Sequence, residues 1–261
     1  MAEQIRFDDG AAYEQFMGLW SRMAGDTFLS WLAPASGQRW LDVGCGNGAF
    51  SELIVQRCSP SEVQGIDPSE GQVTYAQNRL PAGLTHFRCG DAMALPYHDA
   101  AFDLAVMGLV IFFVPDPAKG VTEMRRVVRP GGVVASYAWD MLGGGSPADP
   151  IFVEMRAMGL TPPLPPSVSA AGLRESTELW AAAGLQDIAT QEITVERTFA
   201  DFEAFWSTCL LAPVLGPRIK AMEPSQAATL KAGVRARLVA DADRSLTCTA
   251  RANAIKGRVP G

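Results

Sequence analysis

Three aspartates and three glycines carry the chemical information in this sequence. Asp42 stands two residues before Gly44-Cys45-Gly46-Asn47-Gly48, where a short apolar segment gives way to a helical one. Glycines at 44, 46 and 48 permit a tight turn and let a ligand approach the backbone closely. Such turns also serve dinucleotides and phosphates, and Ala49 nearly satisfies the third small position of the dinucleotide pattern. No lysine followed by serine or threonine closes the turn, so it is not a triphosphate loop. A carboxylate at position 42 would lie close to a bound pyrophosphate, and like charges a few ångströms apart cost roughly 1 to 4 kcal/mol. Position 42 therefore suits a ligand whose near end is positively charged.

Asp67 stands at the end of the next strand, where a carboxylate can accept both hydroxyls of a ribose. Its neighbours Pro68 and Ser69 turn the chain into a helix, with Ser69 as the cap. Asp91, in Cys89-Gly90-Asp91-Ala92-Met93, comes just after the third strand. It is placed to accept a hydrogen bond from an adenine amino group, with Met93 packed on the ring. One aspartate at a strand end is an ordinary turn former or helix cap. Three at the ends of successive strands, around one switch point, point to a ligand site.

The elements that position these residues alternate. Helical spacing of Phe16, Leu19, Trp20, Met23, Phe28, Leu29 and Leu32 predicts a helix over 9–33, broken at Pro34 and Gly37. Strands are expected at 39–43, 62–66, 84–89, 102–108 and 133–139, with helices at 49–57, 69–79 and 117–128. The apolar run 104–114 is too short to span a membrane and reads as a buried strand and the apolar segment after it. This alternation predicts a parallel sheet. A glycine- and proline-rich interruption comes next, with a short helix at 151–158; it reads as an active-site lid or as a surface insertion. A helix at 176–183, a strand at 189–198, helices around 202–211 and 226–239, and a last strand at 246–255 complete the chain. The last two strands suggest an antiparallel edge hairpin with an expanded tip.

The chain has 261 residues, 48% of them hydrophobic and 19% charged, with a net charge of −6. This is a globular composition, and an acidic surface disfavours nucleic acid as a partner. Five scattered cysteines without CxxC spacing, and only His86 and His98, assemble no zinc pattern. With no apolar leader at the N-terminus, the expectation is a cytoplasmic protein with reduced thiols and neither metal nor membrane partner.

The segments Leu41-Asp42-Val43-Gly44-Cys45-Gly46-Asn47-Gly48, Gly65-Ile66-Asp67-Pro68-Ser69, Gly90-Asp91-Ala92, Ala101-Phe102-Asp103-Leu104, Val114-Pro115-Asp116-Pro117 and Val128-Arg129-Pro130-Gly131-Gly132 occur in a telling order. Over 38–140 the sequence resembles the class I S-adenosylmethionine-dependent methyltransferases. The nearest likeness is to the type 11 branch that includes ubiquinone- and menaquinone-biosynthesis enzymes. The resemblance implies a Rossmann-like α/β three-layer sandwich, with a seven-stranded sheet of order 3-2-1-4-5-7-6 and an antiparallel last strand. It implies S-adenosylmethionine as cofactor, S-adenosylhomocysteine as product, and no metal. The cofactor's ammonium and sulfonium suit the position of Asp42. Expected organisation is an N-terminal helical head at 1–37, a cofactor-binding core at 38–140, an insertion or lid at 141–175, and completion of the sheet at 176–261 with a substrate-side insertion at about 200–243.

The head resembles one that closes over the cofactor. By that likeness Tyr13 and Trp20 would wall the methyl donor and Arg22 would pair with its carboxylate; plain core packing and a solvated charge are the other readings of Trp20 and Arg22. The remaining expected cofactor residues are Asp42, Gly44, Cys45, Gly46, Gly48, Asp67, Pro68, Ser69, Asp91, Ala92, Met93, Met107, Gly108 and Phe112. Many relatives carry polar or histidine residues after the fourth strand, whereas here the stretch is apolar from Leu109 to Val114. No general base is therefore assigned. Trp139, Phe205, Trp206 and Leu210 are expected to bind a small hydrophobic or aromatic acceptor, although an aromatic stripe at helical spacing is also ordinary core. Two other functions share parts of this pattern. A nicotinamide-dependent oxidoreductase would leave Asp42 and Asp91 without a role, and no YxxxK pair is present. A cofactor-binding regulator without catalysis would carry the same motifs.

Overall fold

The computed structural model describes residues 14–80, 82–239 and 245–261. Seven strands form one sheet: β1 (Arg39–Val43), β2 (Glu62–Asp67), β3 (Thr85–Cys89), β4 (Phe102–Gly108), β5 (Val128–Trp139), β6 (Gln186–Phe199) and β7 (Leu246–Arg258). Their order is β3-β2-β1-β4-β5-β7-β6, as the resemblance implies. The first five are parallel, and β7 runs antiparallel to both β5 and β6. β4 is buried along most of its length, which explains its unbroken apolar run. β1 pairs with β2 on one side and β4 on the other, so the direction of winding reverses at β1. Ligands of open α/β sheets bind at the carboxyl ends of the strands flanking such a reversal.

The crossover helices are α2 (Ala49–Cys58), α3 (Glu70–Arg79) and α4 (Pro117–Val127), preceded by α1 (Leu19–Leu32) of the head. Ser69 caps α3, its hydroxyl accepting from the Gln72 N–H at 3.4 Å. Asp116 caps α4 from the Lys119 N–H, and Pro117 opens it. Within the helix expected over 9–33, a π-helical turn over Glu14–Gly18 leads into α1, and residues 9–13 lie outside the described residues. β5 begins before the strand expected at 133–139 and takes in Pro130-Gly131-Gly132, where the pairing with β4 jumps from Phe102↔Val128 to Leu104↔Val133.

After β5 the chain forms α5 (Asp149–Ala157) and α6 (Leu173–Ala182) before returning to the sheet. Between β6 and β7 stand α7 (Phe202–Cys209), α8 (Leu215–Lys220) and α9 (Pro224–Arg237). The two insertions meet: Arg237 on α9 bonds Glu154 on α5 at 2.6 Å. A side chain at Gly233 would begin 2.2 Å from the same carboxylate. One continuous apolar core runs from the head through the sheet into both insertions. Among the described residues no helix is long and apolar enough to cross a membrane.

Candidate functional site

Carbonyls and carboxylates of the protein itself take up the amide donors of the glycine turn. Gly44 and Cys45 donate to the Ile66 carbonyl at 2.7 and 3.1 Å, Gly46 donates to Asp67 Oδ2 at 3.0 Å, and Gly48 donates to the Cys45 carbonyl. At the start of α2, the Ala49 N–H donates to Asn47 Oδ1, and Ser51 donates to Asp42 from both its amide and its hydroxyl, the latter at 2.7 Å. The positive end of α2 thus already faces a carboxylate. A pyrophosphate would find these donors spent and a buried carboxylate beside it, so the turn is poorly made for a dinucleotide.

Asp42 is 1% exposed. Burial pushes its pKa up to about 7; the Ser51 hydrogen bonds oppose that rise, and the nearby charge of Asp67 adds to it. Asp67 is also raised, chiefly by burial, while the amides of Ser69 and Gly46 pull it back. Its two oxygens accept from those amides, at 2.9 and 3.0 Å. A carboxylate has about four acceptor sites, so one remains on each oxygen, enough for two neighbouring hydroxyls. Space exists above the turn, since a side chain on Gly46 would meet nothing within 4 Å. Asp91 is exposed just beyond β3; its Oδ1 accepts the Met93 N–H at 2.8 Å, the ordinary work of a turn former.

Next to this cleft lies an apolar chamber of about 110 Å³ at the carboxyl ends of β4 and β5. Val110, next to Leu109, packs on the turn: a Cβ on Gly44 would sit 2.4 Å from its methyl. Phe16 and Met17 of the head, and Leu109, Phe112 and Phe113 after β4, form one side of the chamber. Trp139, Met141, Ser146, Ala148 and Phe152 form another, and Pro163, Pro165 and the turn 212–215 close it. The loop after β5 is pinned from β7: Arg251 bonds Asp140 at 2.6 Å and the Gly143 carbonyl at 3.0 Å.

Residues 41–136 match the family model for a methyltransferase domain. Over 105 residues the chain is 39% identical to a demethylmenaquinone methyltransferase of Desulfitobacterium hafniense, covering 38% of this chain and 42% of that protein. Over 123 residues it is 36% identical to a malonyl-acyl-carrier-protein O-methyltransferase of Erwinia billingiae, covering 47% of each. The chain therefore spans less than half the length of these curated relatives. Among solved structures, phosphoethanolamine N-methyltransferase 2 of Haemonchus contortus, in complex with S-adenosyl-L-methionine, superposes with a TM-score of 0.60 at 21% identity, over 98% of this chain and 58% of that one. A cyclase, SpnF, superposes with a TM-score of 0.55 at 22% identity, over 92% of this chain and 81% of that one. These superpositions establish the fold.

Several residues expected at the cofactor side have other surroundings. Cys45 turns its side chain away from the cleft, into a small cluster with Val73, Ala76, Leu80 and Phe87, so only its backbone belongs to the turn. Met107 is fully buried against α4, with its methyl 3.3 Å from where a side chain on Gly120 would begin. Strand alternation turns Gly108 the other way, and there it backs onto Tyr137 and Phe50. Trp20 is 1% exposed and packs in the core. Arg22 is exposed and donates to Gln56 on α2 at 3.1 Å, so it is a surface residue. Tyr13 lies outside the described residues.

The acceptor-side expectations divide in the same way. Trp139 lines the chamber, and Phe112, expected at the cofactor, lines it too. Phe205, Trp206 and Leu210 do not. Phe205 packs edge-on against Phe199, and Trp206 stacks on Phe202 beneath Lys231. The aromatic stripe of α7 is core, and the turn after it, 212–215, supplies the wall. Composition holds one clue to the missed residues: the proline-rich 162–166 segment does reach the chamber, through Pro163 and Pro165.

Proposed function

We propose that this protein transfers a methyl group from S-adenosylmethionine to a small, apolar or aromatic acceptor held in the chamber. The observation that carries the reading is the occupied N-terminus of α2. Asp42 fills the place a pyrophosphate would need, while Asp67 keeps an acceptor site free on each oxygen. Such a site suits a nucleoside with a cationic tail. Asp67 would hold the ribose hydroxyls, Asp42 would face the positive tail, and Asp91 with Ala92 and Met93 would border the adenine. Pro68 and Ser69 would shape the turn beside the ribose.

When bound, S-adenosylmethionine supplies an activated methyl on a positively charged sulfur. The protein's own task is alignment and dryness. Orientation alone is worth roughly 7 to 11 kcal/mol, and the chamber's apolar walls keep water from the reacting atoms. An aromatic acceptor agrees with the name of the Desulfitobacterium relative. The Cys45, Gly46 and Gly48 backbone would floor the cofactor cleft.

Two measurements test this reading. S-adenosylhomocysteine is expected to raise the melting temperature and NAD to leave it unchanged; the reverse discards the proposal. Asp67→Ala is expected to weaken S-adenosylhomocysteine binding by about tenfold or more, equivalent to about 1.4 kcal/mol. Unchanged calorimetric affinity would remove Asp67 from the site.

A further inference from the structure

The chamber is small, and one of its walls is fastened from outside. An apolar cavity of about 150 Å³ takes one benzene-sized ring, and this chamber measures about 110 Å³. A single ring fills it, and a fused second ring needs a wall to move. Met141, Ser146 and Ala148, from the segment after β5, form part of the lining. Between Met141 and Ser146 runs the triple glycine, and there the chain is tied to β7. The Asp140 N–H donates to the Arg251 carbonyl at 2.9 Å, and the Arg251 N–H to the Gly145 carbonyl at 3.0 Å. The Gly145 N–H donates to the Asp140 carbonyl at 2.7 Å, and the Gly143 N–H to Asp140 Oδ1 at 3.0 Å. The Arg251 guanidinium spans the loop, donating to Asp140 Oδ2 at 2.6 Å and to the Gly143 carbonyl at 3.0 Å. Charge-assisted bonds of this kind are the stronger ones. Glycine is required for the fit: a Cβ at position 143 would run into the Asp140 carboxylate, and one at 145 into the Arg251 carbonyl.

We propose that the Arg251–Asp140 clamp sets the size limit of the acceptor, admitting one ring and excluding a fused pair. The proposal rests on the methyl-transfer reading and adds the acceptor's size class to it. Arg251 acts through the loop it holds, so it is a positioning residue. A ligand larger than the chamber has to displace the loop, and displacement breaks the clamp. Such a ligand binds with an affinity reduced by the fraction of molecules whose loop is released. A ligand that fits the clamped chamber is spared that reduction. Weakening the clamp therefore improves binding of the large ligand and leaves the small one nearly unchanged. A residue that only supported the fold would weaken both together.

The test uses p-cresol and 2-naphthol, both neutral near pH 7, on protein loaded with S-adenosylhomocysteine. Wild type is expected to bind p-cresol several-fold more tightly than 2-naphthol, against the order of their apolar surfaces. Arg251→Met and, separately, Asp140→Asn are expected to tighten 2-naphthol about tenfold or more and to move p-cresol by less than about threefold, with S-adenosylhomocysteine affinity unchanged. Asp140→Asn keeps an oxygen for the Gly143 amide and serves alone if Arg251→Met does not fold. Arg251→Lys, which keeps the charge and a donor, is expected to retain most of the wild-type preference. Ala212→Leu fills the chamber and is expected to abolish p-cresol binding, which locates the probe. Tighter binding of 2-naphthol than p-cresol by wild type, an unchanged ratio of the two affinities in both clamp variants, or p-cresol binding that survives Ala212→Leu overturns the proposal, as does failure of wild type to bind p-cresol. If S-adenosylhomocysteine does not raise the melting temperature of wild type, the methyl-transfer reading itself falls, and that outcome is separate from the others.

Discussion

Between about pH 4 and pH 7 the ligand-free protein is expected to lose stability, and Asp42→Asn is expected to remove most of that loss. The folded chain holds Asp42 at a pKa of about 7, against an ordinary 3.8. Below about pH 4 the carboxyl is protonated whether the chain is folded or not, and its contribution is fully present. As pH rises toward 7 the unfolded chain ionises freely, while the folded chain must keep the proton or bear a buried charge. Stability drains away across that window and levels off above it, by about 4 kcal/mol at most. Asp67, raised in the same direction, adds to the trend. Asp103 and Glu123, lowered in the folded state, oppose it. The comparison of wild type with Asp42→Asn isolates one group from these. Asparagine keeps an oxygen for Ser51, so the variant should match wild type near pH 4 and below and melt several degrees higher near pH 8. A cationic ligand beside Asp42 would reverse the balance by favouring its ionised form. The stabilisation given by S-adenosylmethionine should therefore grow from pH 5 to pH 8 in wild type and not in the variant. Melting curves that differ by the same amount at every pH would show that Asp42 ionises normally.

The cofactor side of this molecule is largely readable from the chain because its determinants are local. A glycine turn, the acid before it and the acid ending the next strand each lie within a few residues of the structure that places them. Asp42 contacts Ser51 nine positions away, and Asp67 reaches Gly46 through strands that pair directly. Sheet order comes with the family likeness, since spacing alone predicts parallel strands and not their sequence across the sheet. The chamber is less legible. Its walls come from the head, from two insertions and from a turn that no periodicity marks. Phe205 and Trp206 resemble a lining because they share a helical stripe, yet that stripe faces β6 and the core. α8 escapes sequence patterning because Gly216 and Pro217 argue locally against a helix. Its glycine is required by packing, since a Cβ there would stand 2.0 Å from the Leu210 carbonyl. The surface position of Arg22 is hidden from the sequence because its partner, Gln56, lies on a helix whose docking against the head only the tertiary structure shows.

Substituting alanine at Gly44 and at Gly46 should separate folding from binding within one turn. Both residues sit in the left-handed region, with φ of +78° and +52°. A non-glycine residue held there costs roughly 1 to 2 kcal/mol. At Gly44 the new methyl would also stand 2.4 Å from Val110. Overpacking adds roughly 1 to 3 kcal/mol, so Gly44→Ala should unfold several degrees lower and accumulate poorly. At Gly46 the methyl meets no protein atom within 4 Å. Gly46→Ala should therefore bear only the conformational cost and keep its fold, with a slightly lower melting temperature. The methyl would, however, project into the open space above the turn, where the nucleoside is proposed to lie, and S-adenosylhomocysteine affinity should drop by about tenfold or more. Equal loss of stability in the two variants would mean that the space above Gly46 is filled in solution. Full affinity in Gly46→Ala, measured by calorimetry on folded protein, would move the ligand off the turn and leave Asp67 without its proposed partner.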